Sequence, residues 1–364
     1  MKKTKRNVVV YGLSLNSQDN VQDWLRCTKG ASKRFVCDLG STDDTVELLK
    51  KEGVHVFRQK DISPDKKRVG HLKNFLLERS LIEENETAIS VNVDVWETVS
   101  SNFINDAINA DSNFLAFPVD GRTAFENRGA RNNNARWSDF LAPTLNLSDG
   151  NKPMLLRCNL RKQLTKDFGN YILEVSNPKS KDAKELIFQA RCLLVNEDHK
   201  NAVKRLKKAS RLAKRAISRA TNDVERQLAT DDLVNSLTLI EKSYYQRNKL
   251  IGTLKTFNKL AKLDGKFRAP YIYVALVLSN AGMNSYALSV IGAMQETEKR
   301  HYETELPNDL YSNIPQALLV HTLWITGEKD EAVKGYGNLS NSKYFENKYP
   351  ETAEELLKYS KEKK

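Results

Sequence analysis

Over roughly the first 120 residues, short β-branched apolar runs alternate with stretches whose apolar residues recur every three or four positions. Residues 7–15 (NVVVYGLSL) predict a buried strand, and residues 20–27 the start of a helix. Residues 34–38 (RFVCD) predict a second strand, residues 45–52 (TVELLKKE) a helix ended by Gly53, and residues 54–57 a third strand. Residues 70–79 then predict a helix and residues 88–95 (AISVNVDV) a fourth strand. That βαβαβαβ order implies a mostly parallel, Rossmann-like sheet covered by helices on both faces.

From about residue 180 the spacing of Leu, Ala, Lys and Tyr is helical to the end. Three segments share a pattern: FQARCLLVNEDHKNAVKRL, YVALVLSNAGMNSYALSVI and LVHTLWITGEKDEAVKGYG. Each carries an apolar helix, a turn position (Glu197, Gly282, Gly327) and, five residues on, an alanine (Ala202, Ala287, Ala332). A small residue there lets two helices pack closely, so the pattern predicts helix–turn–helix units of tetratricopeptide (TPR) type. Their intervals, 85 and 45 residues, make the array irregular, and an ordinary all-helical domain is the alternative. Between the two textures, VDGRTAFENRGARNNNARWSDF is too long and polar for a plain connector and has the character of a binding loop.

A chain of 364 residues that is 40% hydrophobic can bury two cores. No apolar stretch approaches the roughly 20 residues of a membrane span. The start, MKKTKRNVVVYGL, reads as a first strand and not a signal peptide, which points to a soluble, cytoplasmic protein. Cys27, Cys37, Cys158 and Cys192 lack the spacing of a disulfide framework or zinc site. The net charge of +12 is concentrated between His199 and Asn222, where nine Lys or Arg residues occur without one acid. Such a run is either a solvated helix face or a surface that attracts phosphates.

Three motifs fall at predicted strand ends, where open α/β sheets bind ligands. The second strand ends in DLGSTDDT (38–45), whose Asp38 can accept hydrogen bonds from a base or ribose, or whose Ser41, Thr42 and Asp43 can simply cap the next helix. The fourth strand carries Asn92-Val93-Asp94; oxygens at i and i+2 share one face and can hold a hard divalent cation, or Asp94 can cap a loop. Lys73 and Asn74 stand in the first turns of a helix, where phosphates can bind.

In order and spacing these motifs resemble family 2 glycosyltransferases of the GT-A fold, over roughly residues 7–98, with DLGSTDDT the most specific part. The resemblance implies an inverting, metal-assisted transfer of sugar from a nucleotide sugar, with a UDP-sugar expected, to a hydroxyl acceptor. It places Asn16 (with Asp19), Asp38, Ser41, Asp43, Lys73 and Asn74 on the nucleotide sugar, and Mn2+ or Mg2+ on Asp94 and Asn92. FENRGARNNNARWSDFL (125–141) looks similar to the family's later Arg/Asn-rich segment, which makes Asp139 the expected general base and Glu126 its reserve. Asn92, Lys73 and Ser138 stand where the family usually has Asp, Arg and His. The organisation so implied is a GT-A domain over residues 1–145, a connecting segment over 146–178, and an all-α repeat domain over 179–364.

Two other readings fit the same residues. One is a phage-type enzyme acting on hydroxymethylated bases, with nucleic acid held by Lys204, Lys207, Arg211 and Lys214. The other is a non-catalytic sugar-nucleotide-binding scaffold. A nucleotidyltransferase is disfavoured, because no Gly-rich phosphate loop follows the first strand.

Overall fold

The computed structural model describes residues 7–62, 69–83, 88–99, 103–109, 114–118, 125–130, 135–137, 145–147, 154–155, 160–161, 164–177, 179–294, 296–297 and 313–362. They divide into an α/β unit, residues 1–180 with 191–198, and a helical unit, residues 181–190 with 199–364.

The α/β unit opens with β1 (Val8–Ser14), α1 (Gln18–Cys27), β2 (Lys33–Asp38), α2 (Thr45–Lys51) and β3 (His55–Arg58). A short α3 (Gln59–Ile62), α4 (Val69–Glu83), β4 (Ile89–Asn92), β5 (Thr98–Val99) and α5 (Phe103–Asn109) follow. Then come β6 (Phe114–Pro118), β7 (Phe125–Ala130), β8 (Ala135–Trp137), β9 (Leu145–Leu147), β10 (Met154–Leu155), β11 (Leu160–Arg161) and α6 (Lys166–Val175). The main sheet has the order β10-β6-β7-β4-β1-β2-β3. The ladders joining β3, β2, β1 and β4 are parallel, while β7 runs antiparallel to both β4 and β6. Period-two alternation sends Val8 and Val10 of β1 into a core with Trp24 of α1, Leu49 of α2 and Phe103 of α5. Tyr11 and Leu13 face the other side, where α4 packs on β1.

The sheet at the N-terminus is thus small and parallel in its first four strands. The family assignment of a GT-A domain goes beyond this and is not carried by the topology. The β-strands that follow residue 110 were not expected from the apolar pattern.

The remaining helices are α7 (Ala183–Val195), whose residues are shared between the two units, α8 (His199–Arg219), α9 (Asp223–Gln246), α10 (Leu250–Leu263) and α11 (Arg268–Asn280). The last are α12 (Asn284–Met294), α13 (Asn313–Ile325), α14 (Lys329–Gly337), α15 (Ser342–Lys348) and α16 (Pro350–Glu362). Successive helices pack as hairpins, α8 with α9, α11 with α12 and α13 with α14, which makes this a largely helical, TPR-like region. The fully buried Ala287 sits against Val274 and Leu278 of α11, and Ala332 against Ala317 and Val320 of α13, the close packing the repeat pattern anticipates. No helix among the described residues is long and apolar enough to cross a membrane.

Candidate functional site

The polar residues singled out by sequence converge at the C-terminal ends of β1, β2 and β4. The register places Ser14 beside Asp38 and Tyr11 beside Asn92, so the strand ends meet along one edge of the sheet. β1 and the segment after β4 approach so closely that a Cβ on Gly12 would lie 2.1 Å from the Val93 carbonyl oxygen. Only glycine fits there, and the same carbonyl accepts the Trp24 indole N–H at 2.9 Å.

Asp94 and Asn92 are joined by a lysine. The Lys73 ammonium, delivered from the first turns of α4, donates to Asp94 Oδ2 and to Asn92 Oδ1, each at 2.8 Å. Asp94 Oδ1 accepts the Leu13 backbone N–H at 3.0 Å, and Asn92 Nδ2 donates to the Tyr11 carbonyl at 3.1 Å. Glu97 closes the other side, its Oε2 accepting the Asp94 backbone N–H at 2.9 Å. Lys73 is 4% exposed, Asp94 5% and Asn92 0%. The ammonium also lies 4.7 Å from the centre of the Trp137 ring, whose N–H donates to the Tyr11 hydroxyl at 2.8 Å.

This geometry corrects the expected metal site. A divalent cation would need the Asp94 and Asn92 oxygens that the Lys73 ammonium already occupies, and bringing a second cation beside a buried ammonium is opposed by repulsion in a low-dielectric interior. Among the described residues no group of three His, Cys, Asp or Glu side chains is placed to hold a metal. Mn2+ or Mg2+ therefore does not fit at Asp94 and Asn92. Lys73, expected on a diphosphate, instead faces inward. Asn74 clamps β8, its Nδ2 donating to the Trp137 carbonyl at 3.0 Å and its Oδ1 accepting the Trp137 N–H at 2.8 Å.

The DLGSTDDT turn is likewise bonded to itself and to the end of β1. Asp38 Oδ1 accepts from the Ser14 hydroxyl at 3.0 Å and from Ser41 Oγ, and its Oδ2 from the backbone N–H groups of Gly40 (3.1 Å) and Ser41 (3.0 Å). Asp43 Oδ1 accepts the N–H of Thr45, the first residue of α2, at 3.1 Å, while its Oδ2 accepts the Gln18 N–H at the start of α1 at 3.2 Å. Asn16 takes a φ of 44°, a left-handed conformation that Asn tolerates, and its Oδ1 accepts the Thr42 N–H at 2.8 Å. Asp19 lies in the first turn of α1 and is exposed. A surface cavity of about 500 Å3 opens beside the turn, its lining including Asp43, Asp44, Glu47, Arg58 and Lys60. Of the two expected bases, Glu126 lies on β7 and Asp139 falls outside the described residues.

Neighbouring thiols offer no nucleophile. Burial pushes the Cys27 thiol up to about 11 and raises Cys37, on β2 beside Asp38, further still. Tyr11, Glu97 and Trp137 complete the cluster without having been singled out for it; the aromatic Tyr11 inside an otherwise aliphatic strand was the available signal.

No family model matches the chain, and no curated protein matches it. Among solved structures, a thermophilic TPR protein from Thermus thermophilus is similar at 12% identity and a TM-score of 0.28, over 53% of this chain and 88% of that one. The assembly chaperone of RpL4 is similar at 9% identity and a TM-score of 0.29, over 54% of this chain and 89% of that one. At such scores the likeness carries nothing about function. With no family model matching the chain and with Lys73 on the oxygens expected to hold the metal, the expected family 2 membership is not upheld. The expectations of an inverting transfer, of a nucleotide-sugar (UDP) donor and of manganese rested on that resemblance.

Proposed function

We propose that the protein is a non-catalytic helical-repeat scaffold whose helical unit binds a protein partner. One observation carries the reading. Among the described residues, every large hydrophobic side chain that is substantially exposed lies in the helical unit: Val224, Leu228, Ile251, Leu263, Met283, Tyr286, Ile325 and Leu357. Val224, Ile251 and Tyr286 are 70%, 69% and 65% exposed. At the strand ends of the α/β unit, Asp38, Lys73, Asn92 and Asp94 are held in hydrogen bonds within the unit. Stacked helical hairpins present extended surfaces of the kind partners bind, and apolar and aromatic anchors supply most of the energy of such contacts.

The test places a photo-activatable residue at Ile251, Tyr286 or Ile325 and, separately, at the exposed Glu47 and Asp44 of the α/β unit. The helical positions are expected to give discrete protein adducts in cells that make the protein, and the α/β positions none. Adducts from the α/β positions alone would sink the proposal. Nucleic acid, a partner of a different class, is favoured by one observation only, the row of cations on α8.

A further inference from the structure

We propose that α8 binds the phosphate backbone of a duplex nucleic acid without reading its sequence. This does not depend on the protein-binding reading, since it uses different residues and a different chemistry.

The helix is strongly two-sided. Ala202, Val203, Leu206, Ala209 and Ala213 are buried along the side packed on α9. Lys200, Lys204, Lys207, Arg211 and Lys214 are all exposed, at steps of four, three, four and three residues, which keeps them on one line. At 1.5 Å of rise per residue the row is roughly 20 Å long with a cation about every 5 Å. The Arg211 Nε donates to the Lys207 carbonyl at 3.2 Å, which leaves the rest of its guanidinium facing outward. Lys204, Lys207, Arg211 and Lys214 form no ion pair among the described residues.

The make-up of the row selects the partner. Between His199 and Asn222 there is no acid, no Trp, Tyr or Phe, and none of the exposed large hydrophobic residues. A protein interface needs apolar or aromatic anchors at its centre, and the row has none. A single-stranded nucleic acid is held largely by stacking on aromatic side chains, also missing here. What remains is regularly spaced positive charge, which matches a regularly spaced line of phosphates.

The experiment is fluorescence anisotropy of the full chain with a labelled duplex of arbitrary sequence, about 25 base pairs long, from about 50 mM salt upward. Binding is expected with a log-log salt slope of roughly −4, as for four or five phosphates neutralised. K204E/K207E/R211E/K214E should weaken it by at least about tenfold and flatten the slope. K255E/K259E/K262E/K266E makes the same charge change at exposed positions of α10 and the turn after it, and should leave affinity within about threefold. A K204Q/K207Q/R211Q/K214Q variant guards against misfolding of the Glu variant and should weaken binding in the same direction. A single strand of equal length should bind no tighter than the duplex, and polyglutamate should displace the duplex only in large excess. Equal losses in the α8 and α10 variants, an absence of binding at about 50 mM salt, tighter single-strand binding, or ready displacement by polyglutamate would each overturn the proposal. The last outcome would move the ridge to an acidic protein.

Discussion

Glu241, in the middle of α9, is 0% exposed, and neither carboxylate oxygen has a hydrogen-bond partner among the described residues. Burial raises its pKa well above the ordinary carboxylate value, so the group is held protonated in the folded chain. Leaving such a group unsatisfied costs about 1–3 kcal/mol. Glu241→Met, of similar length and apolar, is therefore expected to stabilise the helical unit by about that amount near pH 7. The sign of the pH dependence follows from linkage. The unfolded chain loses the proton above pH ~4.3 while the folded one keeps it, so unfolding releases a proton. Wild-type stability contributed by this residue is full below pH ~4.3 and declines as pH rises towards the folded pKa. The gain from Glu241→Met should thus grow as pH rises above about 4.5 towards the raised folded pKa in denaturant titrations. A gain that shrinks with rising pH would show that Glu241 is ionised and partnered in the fold.

At the scale of elements, the turns of the three repeat-like segments share one backbone feature. Glu197, Gly282 and Gly327, the positions aligned by sequence, have φ values of 62°, 73° and 92°. A Cβ at Gly282 or Gly327 would meet nothing within 4 Å, so Gly→Ala there measures the left-handed backbone alone. Each substitution should cost about 1 kcal/mol. Glu197→Gly should instead gain about 0.5 kcal/mol, because a side chain already sits in the unfavourable region. Equal effects of the same sign at all three would mean that the turns are not equivalent. These turns were legible because a left-handed residue after an apolar helix leaves a local mark. The first four strands were legible for a similar reason, since both faces of β1, β2 and β4 are buried and demand apolar runs. β8 (Ala-Arg-Trp) and β9 (Leu-Asn-Leu), three residues each, are too short to leave such a period. The chemistry of DLGSTDDT was left open by the sequence because a turn that bonds its own backbone and a turn that binds a nucleotide use the same Asp, Ser and Thr. Which one forms depends on Ser14, Asn16 and Gln18 lying opposite, and on Lys73 reaching Asp94 from 21 residues away.

Taken whole, the molecule separates its polar residues by use. In the α/β unit, charged and amide groups at the strand ends close on each other and tie β1, β2, β4, β8 and α4 together. In the helical unit, exposed apolar side chains and the cations of α8 are left facing outward. Lys73 closes the Asp94 position, and thermal unfolding of the full chain titrated with Mn2+ into the millimolar range, run beside Asp94→Ala, measures whether it does so. A ligand at a hundred times its Kd adds about 2.7 kcal/mol, which would move the midpoint by several degrees. The wild-type midpoint is expected to stay within about 1 °C across the titration. A dose-dependent rise of several degrees that Asp94→Ala abolishes would show instead that a metal displaces Lys73 from Asp94.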